Sequence, residues 1–250
     1  MTNAQESKLT DEEKAKAIEQ HFEDTFGPQV DLDPELQRCL YEDENMSGIK
    51  HPLVFSLFHN PRLNHMVNEQ LRQKREALDR AVEDEAWSTY CFLHERPYRL
   101  DAFLNIKDKI EDDAAYWDVL GSIWTDSENI WQSEDEWLEC LSSERPQRDQ
   151  MMEDWERDRL AALPETVEIF RGYQFANRQD GMSWSIDRNQ AAWFATRLWV
   201  PERGGDGPML AIATVKRDKI LAFFDGRNEH EVVVLPGDAD ISETEEQEVH

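Results

Sequence analysis

Three short segments in the last third of the chain carry side chains whose types and order could do chemistry on a phosphate-bearing sugar: Phe170-Arg171-Gly172, Ser183-Trp184-Ser185 and Glu229-His230-Glu231. A rigid guanidinium at a strand end can grip a phosphate through two parallel hydrogen bonds, which is a role for Arg171. A carboxylate beside a sugar ring stabilises the positive charge that develops as the bond at the anomeric carbon breaks, which is a role for Glu231. Glu229 stands two residues earlier, so on a regular strand both carboxylates share a face, with His230 on the other. One carboxylate could then serve the ring while its neighbour receives a proton from the incoming nucleophile. Each segment alone also has a plainer reading: an exposed salt bridge for Arg171, helix capping for Ser183 and Ser185, and a solvated acidic edge for Glu229 and Glu231.

The pattern around these residues is β-rich. Thr166–Phe170, Met209–Val215, Ile220–Phe224 and Glu231–Leu235 are short β-branched or alternating runs and predict strands. One helix is predicted from Arg188 to about Leu198, with Asp187 or Ser185 placed to cap it. Upstream of Leu163-Pro164 the texture is helical. Residues 1–10 are polar and read as loose, after which Thr10-Asp-Glu-Glu reads as a capping box opening a helix to about Phe26, where Gly27-Pro28 ends it. No Gly or Pro occurs between Asn64 and His94, and Met66, Leu71, Leu78, Val82 and Trp87 recur near helical spacing, which predicts one long helix. Further helices are predicted over Ala114–Trp124, Ser133–Leu141 and Gln147–Leu160, with Tyr116, Leu120, Ile123, Trp124 and Trp131 forming one apolar core stripe. The expected organisation is an α+β chain with an α-helical leader at 1–164, a compact β-rich module at 165–237, and an acidic, disordered tail at 238–250.

Taken together, in this order and on these elements, the three segments resemble the Arg–Ser–Glu class of mono-ADP-ribosyltransferases of the phage and bacterial type, over roughly residues 165–236. Trp184 departs from the family's usual form, which has Thr in that slot. The resemblance implies a small mixed β core of two packed sheets. It also implies an enzyme that cleaves the nicotinamide–ribose bond of NAD⁺ and passes ADP-ribose to an acceptor, with Arg171, Ser183 and Glu231 as the catalytic trio. NAD⁺ would be contacted by Arg171, Gly172, Tyr173, Ser183 and Ser185, with the Gly172 backbone close to the nicotinamide carboxamide. Tyr173, Trp184 and Phe194 are candidates to stack on the nicotinamide, with plain packing as the alternative. Glu229 in the first acidic position goes, in the family, with modification of protein arginine. Phe223 and Phe224 fall where the family has its acceptor-recognising turn, although core packing accounts for either ring equally well. The same chemistry on RNA or DNA, or a non-catalytic acidic inhibitor that mimics DNA, are the competing readings.

The bulk composition bounds these readings. The formal charge of −27 repels nucleic acid backbones and anionic lipid. It is unevenly spread: residues 1–164 hold 18 Lys and Arg against 38 Asp and Glu, 165–237 hold 9 against 10, and 238–250 hold six acids and no base. The near-neutral module suits a dianionic pyrophosphate, and solubility alone accounts for the acid elsewhere. Cys39, Cys91 and Cys140 form no Cys-x-x-Cys pair, and the scattered histidines lack metal-ligand spacing, so neither a disulfide framework nor a metal site is expected. No signal segment or membrane span is visible, which makes a cytoplasmic protein the expectation. No Gly-x-Gly-x-x-Gly joins a strand to a helix, and the loop Arg203-Gly-Gly-Asp-Gly-Pro208 lacks the Lys-Ser/Thr of a P-loop, so NAD⁺ would be a substrate and not a hydride carrier.

Overall fold

A computed structural model describes residues 10–42, 46–197, 199–201 and 204–248. The loose leader expected at 1–10 lies, but for Thr10, outside the described residues. In chain order the elements are α1 (Asp11–Phe26), α2 (Pro34–Gln37), β1 (Leu40–Glu42), β2 (Ser47–His51), β3 (Val54–Ser56), α3 (Asn64–Glu83), α4 (Trp87–Leu93), α5 (Arg99–Ile106), α6 (Asp113–Asp126), α7 (Glu134–Leu141), α8 (Asp154–Ala161), β4 (Thr166–Tyr173), β5 (Ser183–Ser185), α9 (Arg188–Thr196), β6 (Met209–Lys216), β7 (Ile220–Phe224), β8 (Glu231–Val234) and β9 (Asp240–Glu246). The α+β class is as expected. The chain divides into two compact units, Met1–Ala102 and Phe103–His250.

In the first unit, α1 opens with the predicted box: the Thr10 N–H donates to Glu13 at 2.7 Å and the Glu13 N–H returns to the Thr10 hydroxyl at 3.3 Å. The single helix expected from Asn64 to His94 is instead two. Glu85 adopts φ +53°, the Ala86 N–H reaches back to the Ala81 carbonyl at 2.8 Å, and the Glu85 N–H reaches the Val82 carbonyl at 3.3 Å. This is a Schellman ending with Glu where Gly is usual, so neither Gly nor Pro announces it. Strands β1, β2 and β3 form a small antiparallel sheet over Leu36, Ile49, Leu53, Val54 and Leu71.

The second unit is built on one antiparallel sheet of order β7-β8-β5-β4-β6-β9. Among the described residues the strands of 165–248 form this single sheet, and the second sheet of the chain lies at 40–56 instead of packing within the module. The boundary also differs from the change of texture at 164: the helices from Phe103 to Ala161 belong to the same unit as the sheet. The reason is that β7 and β8 are buried along their whole length and need helical cover. The segment at Arg148–Met151 and α8 supply it against β7, with the Phe223 N–H directed at Met152 Sδ at 3.1 Å. Tyr116, Leu120, Ile123 and Trp124 form a buried stripe as expected, but Trp131 leaves it and is 49% exposed.

The acidic tail also differs from expectation. Residues 240–246 are not disordered but pair along β6 as the edge strand β9. Its exposed carboxylates have no apolar alternation to announce a strand, and charge is how a sheet edge avoids pairing with another chain.

Helix α9 crosses β4 over Phe170, Ala191, Leu210 and Ile212. Its approach depends on Gly172, since a Cβ there would lie 2.1 Å from the Ala191 carbonyl oxygen and 2.5 Å from the Ala195 nitrogen. Backbone cannot yield as a flexible side chain can, so Gly172→Ala should destabilise the protein by about 1–3 kcal/mol, the usual range for overpacking. Gly226→Ala, where an added Cβ meets nothing within 4 Å, should stay within about 0.5 kcal/mol. Denaturant unfolding of the two variants checks this pair, and equal stabilities would contradict the packing argument.

Candidate active site

Strand register brings the three predicted segments side by side. Phe170 of β4 pairs with Ser185 of β5, Ser185 pairs with Glu231 of β8, and Glu231 pairs with Phe224 of β7, making one row across four strands. The β4–β5 ladder is a single pair long, so the strands part beyond it. Into that opening the Arg171 guanidinium reaches: Nη1 donates to the Ser183 carbonyl at 2.5 Å and Nε to the Arg178 carbonyl at 3.1 Å. Arg171 is therefore first a strut that closes the β4–β5 connection, with Nη2 outside these two bonds. It fits because residue 181 is Gly, where a Cβ would stand 2.6 Å from Nη2. Burial depresses its pKa, and the carboxylates of Glu134, Asp180 and Glu231 oppose that depression.

Ser183 also meets Glu231 through its side chain. The hydroxyl donates to Glu231 Oε1 at 2.5 Å, and Glu231 as a whole is only 8% exposed. Burial raises the Glu231 pKa above the usual carboxylate range. The Ser183 hydrogen bond, the charge of Arg227 and a smaller pull from the Trp124 indole act the other way, while Glu229 adds to the rise. A raised carboxyl with one strong hydroxyl donor and cations nearby is the type of group that changes protonation or stabilises charge during a reaction.

Ser185 is occupied differently. Its hydroxyl donates to the Glu229 carbonyl at 2.8 Å and accepts from the Asp187 N–H at 3.0 Å, so it ties the start of α9 to the segment before β8. The cap of α9 itself is Asp187, which accepts from Asn189 and Gln190. Ser183 is thus the hydroxyl facing the carboxyl and Ser185 a backbone brace.

Glu229 lies outside β8, and His230 between the two acids has φ +48°, so the face-sharing expected of a regular strand does not apply. Glu229 is placed instead by a braced loop. The Asp225 N–H donates to Glu156 Oε1 at 2.9 Å, the His230 N–H donates to Asp225 Oδ1 at 3.1 Å, and the imidazole Nδ1 lies 2.9 Å from that same carboxylate. Gly226, Arg227 and Asn228 form the exposed tip, and Arg227 Nη2 donates to Glu229 Oε2 at 2.7 Å.

Other expected contacts are placed elsewhere. Phe223 is fully enclosed and Phe224 is 5% exposed, because both belong to β7 beneath the helical cover, so neither ring can meet an acceptor. Gly172 is accounted for by α9, whose backbone fills the space its side chain would take. Tyr173 is buried in β4 where that strand pairs with β6, opposite Met209, and it is not gathered with Ser183 and Glu231. Trp184 is core, its indole donating to the Gly181 carbonyl at 2.6 Å, and Phe194 packs edge-on against Trp193 with Arg197 over both rings.

The sequence reading missed Gly181, Trp124, Glu134, Glu156 and Arg178. Of these, Glu156 was half legible, since Glu153-x-x-Glu156 is a capping box, and its second oxygen is the one that accepts from the Glu153 N–H. Arg178 stacks on the exposed Trp131 ring at 4.1 Å, which explains why that indole is not in the core stripe. A cavity of about 750 Å³ between Met152, Arg157, Leu160, Glu165 and Arg217 includes none of the candidate residues.

No protein-family profile, curated protein or solved structure matches this chain. The resemblance therefore rests on the three segments and on the geometry just described.

The burial of Glu231 has a consequence for stability. With its folded pKa raised, the carboxyl binds a proton more tightly in the native than in the unfolded chain, so stability falls as pH rises from about 4.3 toward the raised native value and then levels off. Glu231→Gln lacks that loss, and its stability relative to the parent protein should increase across the same window. Ser183→Ala, which removes the bond that lowers the pKa, should widen the window. Denaturant unfolding at a series of pH values measures both, and a pH-independent difference would contradict the assignment.

Proposed function

We propose that the protein is a mono-ADP-ribosyltransferase that uses NAD⁺ as cosubstrate, requires no metal, and transfers ADP-ribose to a protein arginine. The observation that carries the reading is the buried Glu231 carboxyl bonded at 2.5 Å to Ser183, on strands that also bring Arg171 to the same opening.

In this reading the ionised Glu231 lies beside the nicotinamide ribose and stabilises its oxocarbenium-like transition state. Ser183 orients it. Arg171 fixes the opening between β4 and β5 and offers Nη2 to the pyrophosphate. Glu229 takes the proton from the attacking guanidinium, which is a poor nucleophile until it loses one. The free thiols Cys39, Cys91 and Cys140 support a reducing, cytoplasmic setting. Among the described residues no helix is long and apolar enough to cross a membrane.

Incubation with NAD⁺ and chromatographic measurement of nicotinamide release tests the reading. Glu231→Gln should lower release by about 100- to 1,000-fold, the cost of losing one electrostatic stabiliser. Absence of release from the unmodified protein with arginine-bearing proteins or nucleic acids present would overturn the enzyme reading in favour of a binding protein.

Glu229→Gln separates the second step. It should leave hydrolysis of NAD⁺ by water in place and lower transfer to arginine by about 100-fold or more. Equal loss of hydrolysis and transfer would contradict the division of labour. Labelled NAD⁺ in a cell lysate, followed by protease or nuclease treatment, reads the acceptor class, with protease-sensitive label expected.

A further inference from the structure

The loop that carries Glu229 also carries an arginine already in contact with it. Arg227 Nη2 donates to Glu229 Oε2 at 2.7 Å, with the arginine side chain 48% and the glutamate side chain 18% exposed. The same guanidinium is close enough to Glu231 to lower its pKa. Arg227 therefore stands against the Glu229 carboxylate, the group that takes the acceptor's proton in the transferase reading. The placement is enforced on either side. Glu156 fixes Asp225, Asp225 fixes His230, and Ser185 fixes the Glu229 carbonyl, which leaves Gly226, Arg227 and Asn228 as the exposed tip. Asn228 at φ +55° turns the chain back tightly after Arg227, and open space surrounds Gly226.

We propose that Arg227 is an acceptor of ADP-ribose in its own molecule, a modification site two residues from the base that activates it. This inference rests on the transferase reading above. A guanidinium nitrogen of Arg227 forms a bond to C1′ of the nicotinamide ribose. The C1′ bond to the nicotinamide ring nitrogen breaks, its electron pair leaves with neutral nicotinamide, and the guanidinium proton passes to the Glu229 carboxylate. No oxidant, reductant or further reactant is consumed. The reaction is intramolecular because the ion pair that positions Arg227 lies within one loop.

The test uses the full chain alone with NAD⁺ labelled in its adenylate part, and reads both nicotinamide release and protein-bound label, the latter mapped by peptide mass spectrometry. The expected result is label on the peptide that carries Arg227, at a rate per molecule unchanged by dilution of the protein. Arg227→Lys, which keeps the positive charge beside Glu229, should lose that label while nicotinamide is still released with water as the acceptor. Nicotinamide release without label, label mapped to another residue, label undiminished in Arg227→Lys, or a rate that falls on dilution would each overturn the inference and leave the transferase reading standing. Absence of nicotinamide release from the unmodified protein removes both.

Discussion

The second unit depends on a buried carboxyl that needs company. Glu231 opens a strand otherwise made of valines, and an isolated acid there would favour its neutral form strongly or disrupt the strand. The Ser183 hydroxyl provides a direct donor, Arg171 and Arg227 provide nearby positive charge, and the Trp124 indole adds a further polar neighbour. Each comes from a different element, so the requirement to stabilise one side chain constrains β5, β4, the loop before β8 and α6 together. That convergence is also what makes the group useful: a carboxyl balanced between burial and positive charge can stabilise developing charge that a solvated one would leave to water.

The helices of the second unit matter for the same reason. A sheet with β7 and β8 fully buried cannot stand without cover, and the cover is placed so that α6 contributes Trp124 and α8 contributes Glu156 to the site. Glu156 illustrates how packing and function share residues. One of its oxygens completes the capping box of α8, and the other fixes the start of the loop that presents Arg227 and Glu229. The helical segment from Phe103 onward thus completes the site beside the sheet, which a division at residue 164 would have separated.

Much of this was legible in the sequence, and the parts that were not have physical reasons. The strands beside Arg171 and Glu231 were visible because β-branched runs bounded by Gly, Pro and Asp are strong local signals, whereas the three-residue strand of Ser183 has no such run to announce it. Strand β9 was hidden because an exposed acidic edge has the composition of a disordered tail. The break between α3 and α4 was hidden because Glu85 takes the left-handed position that Gly or Asn usually announces. Phe223 and Phe224 were ambiguous because strand register and cover, neither of which is local, decide whether a ring before Asp-Gly is exposed. Arg171 was expected to grip phosphate with a free fork, yet two of its nitrogens are taken by backbone carbonyls that only the short β4–β5 ladder leaves available. Glu229 was placed by a strand period that the positive φ of His230 breaks, and the braced loop decides its position instead.

The central question is whether the opening between β4 and β5 is where the nicotinamide ribose binds. The most direct measurement is a crystal structure of the Glu231→Gln protein with NAD⁺, in which slowed cleavage preserves the intact dinucleotide. The nicotinamide ribose is expected against residue 231 and Ser183, with a pyrophosphate oxygen at Arg171. NAD⁺ bound elsewhere, or an unliganded opening at saturating NAD⁺, would contradict it.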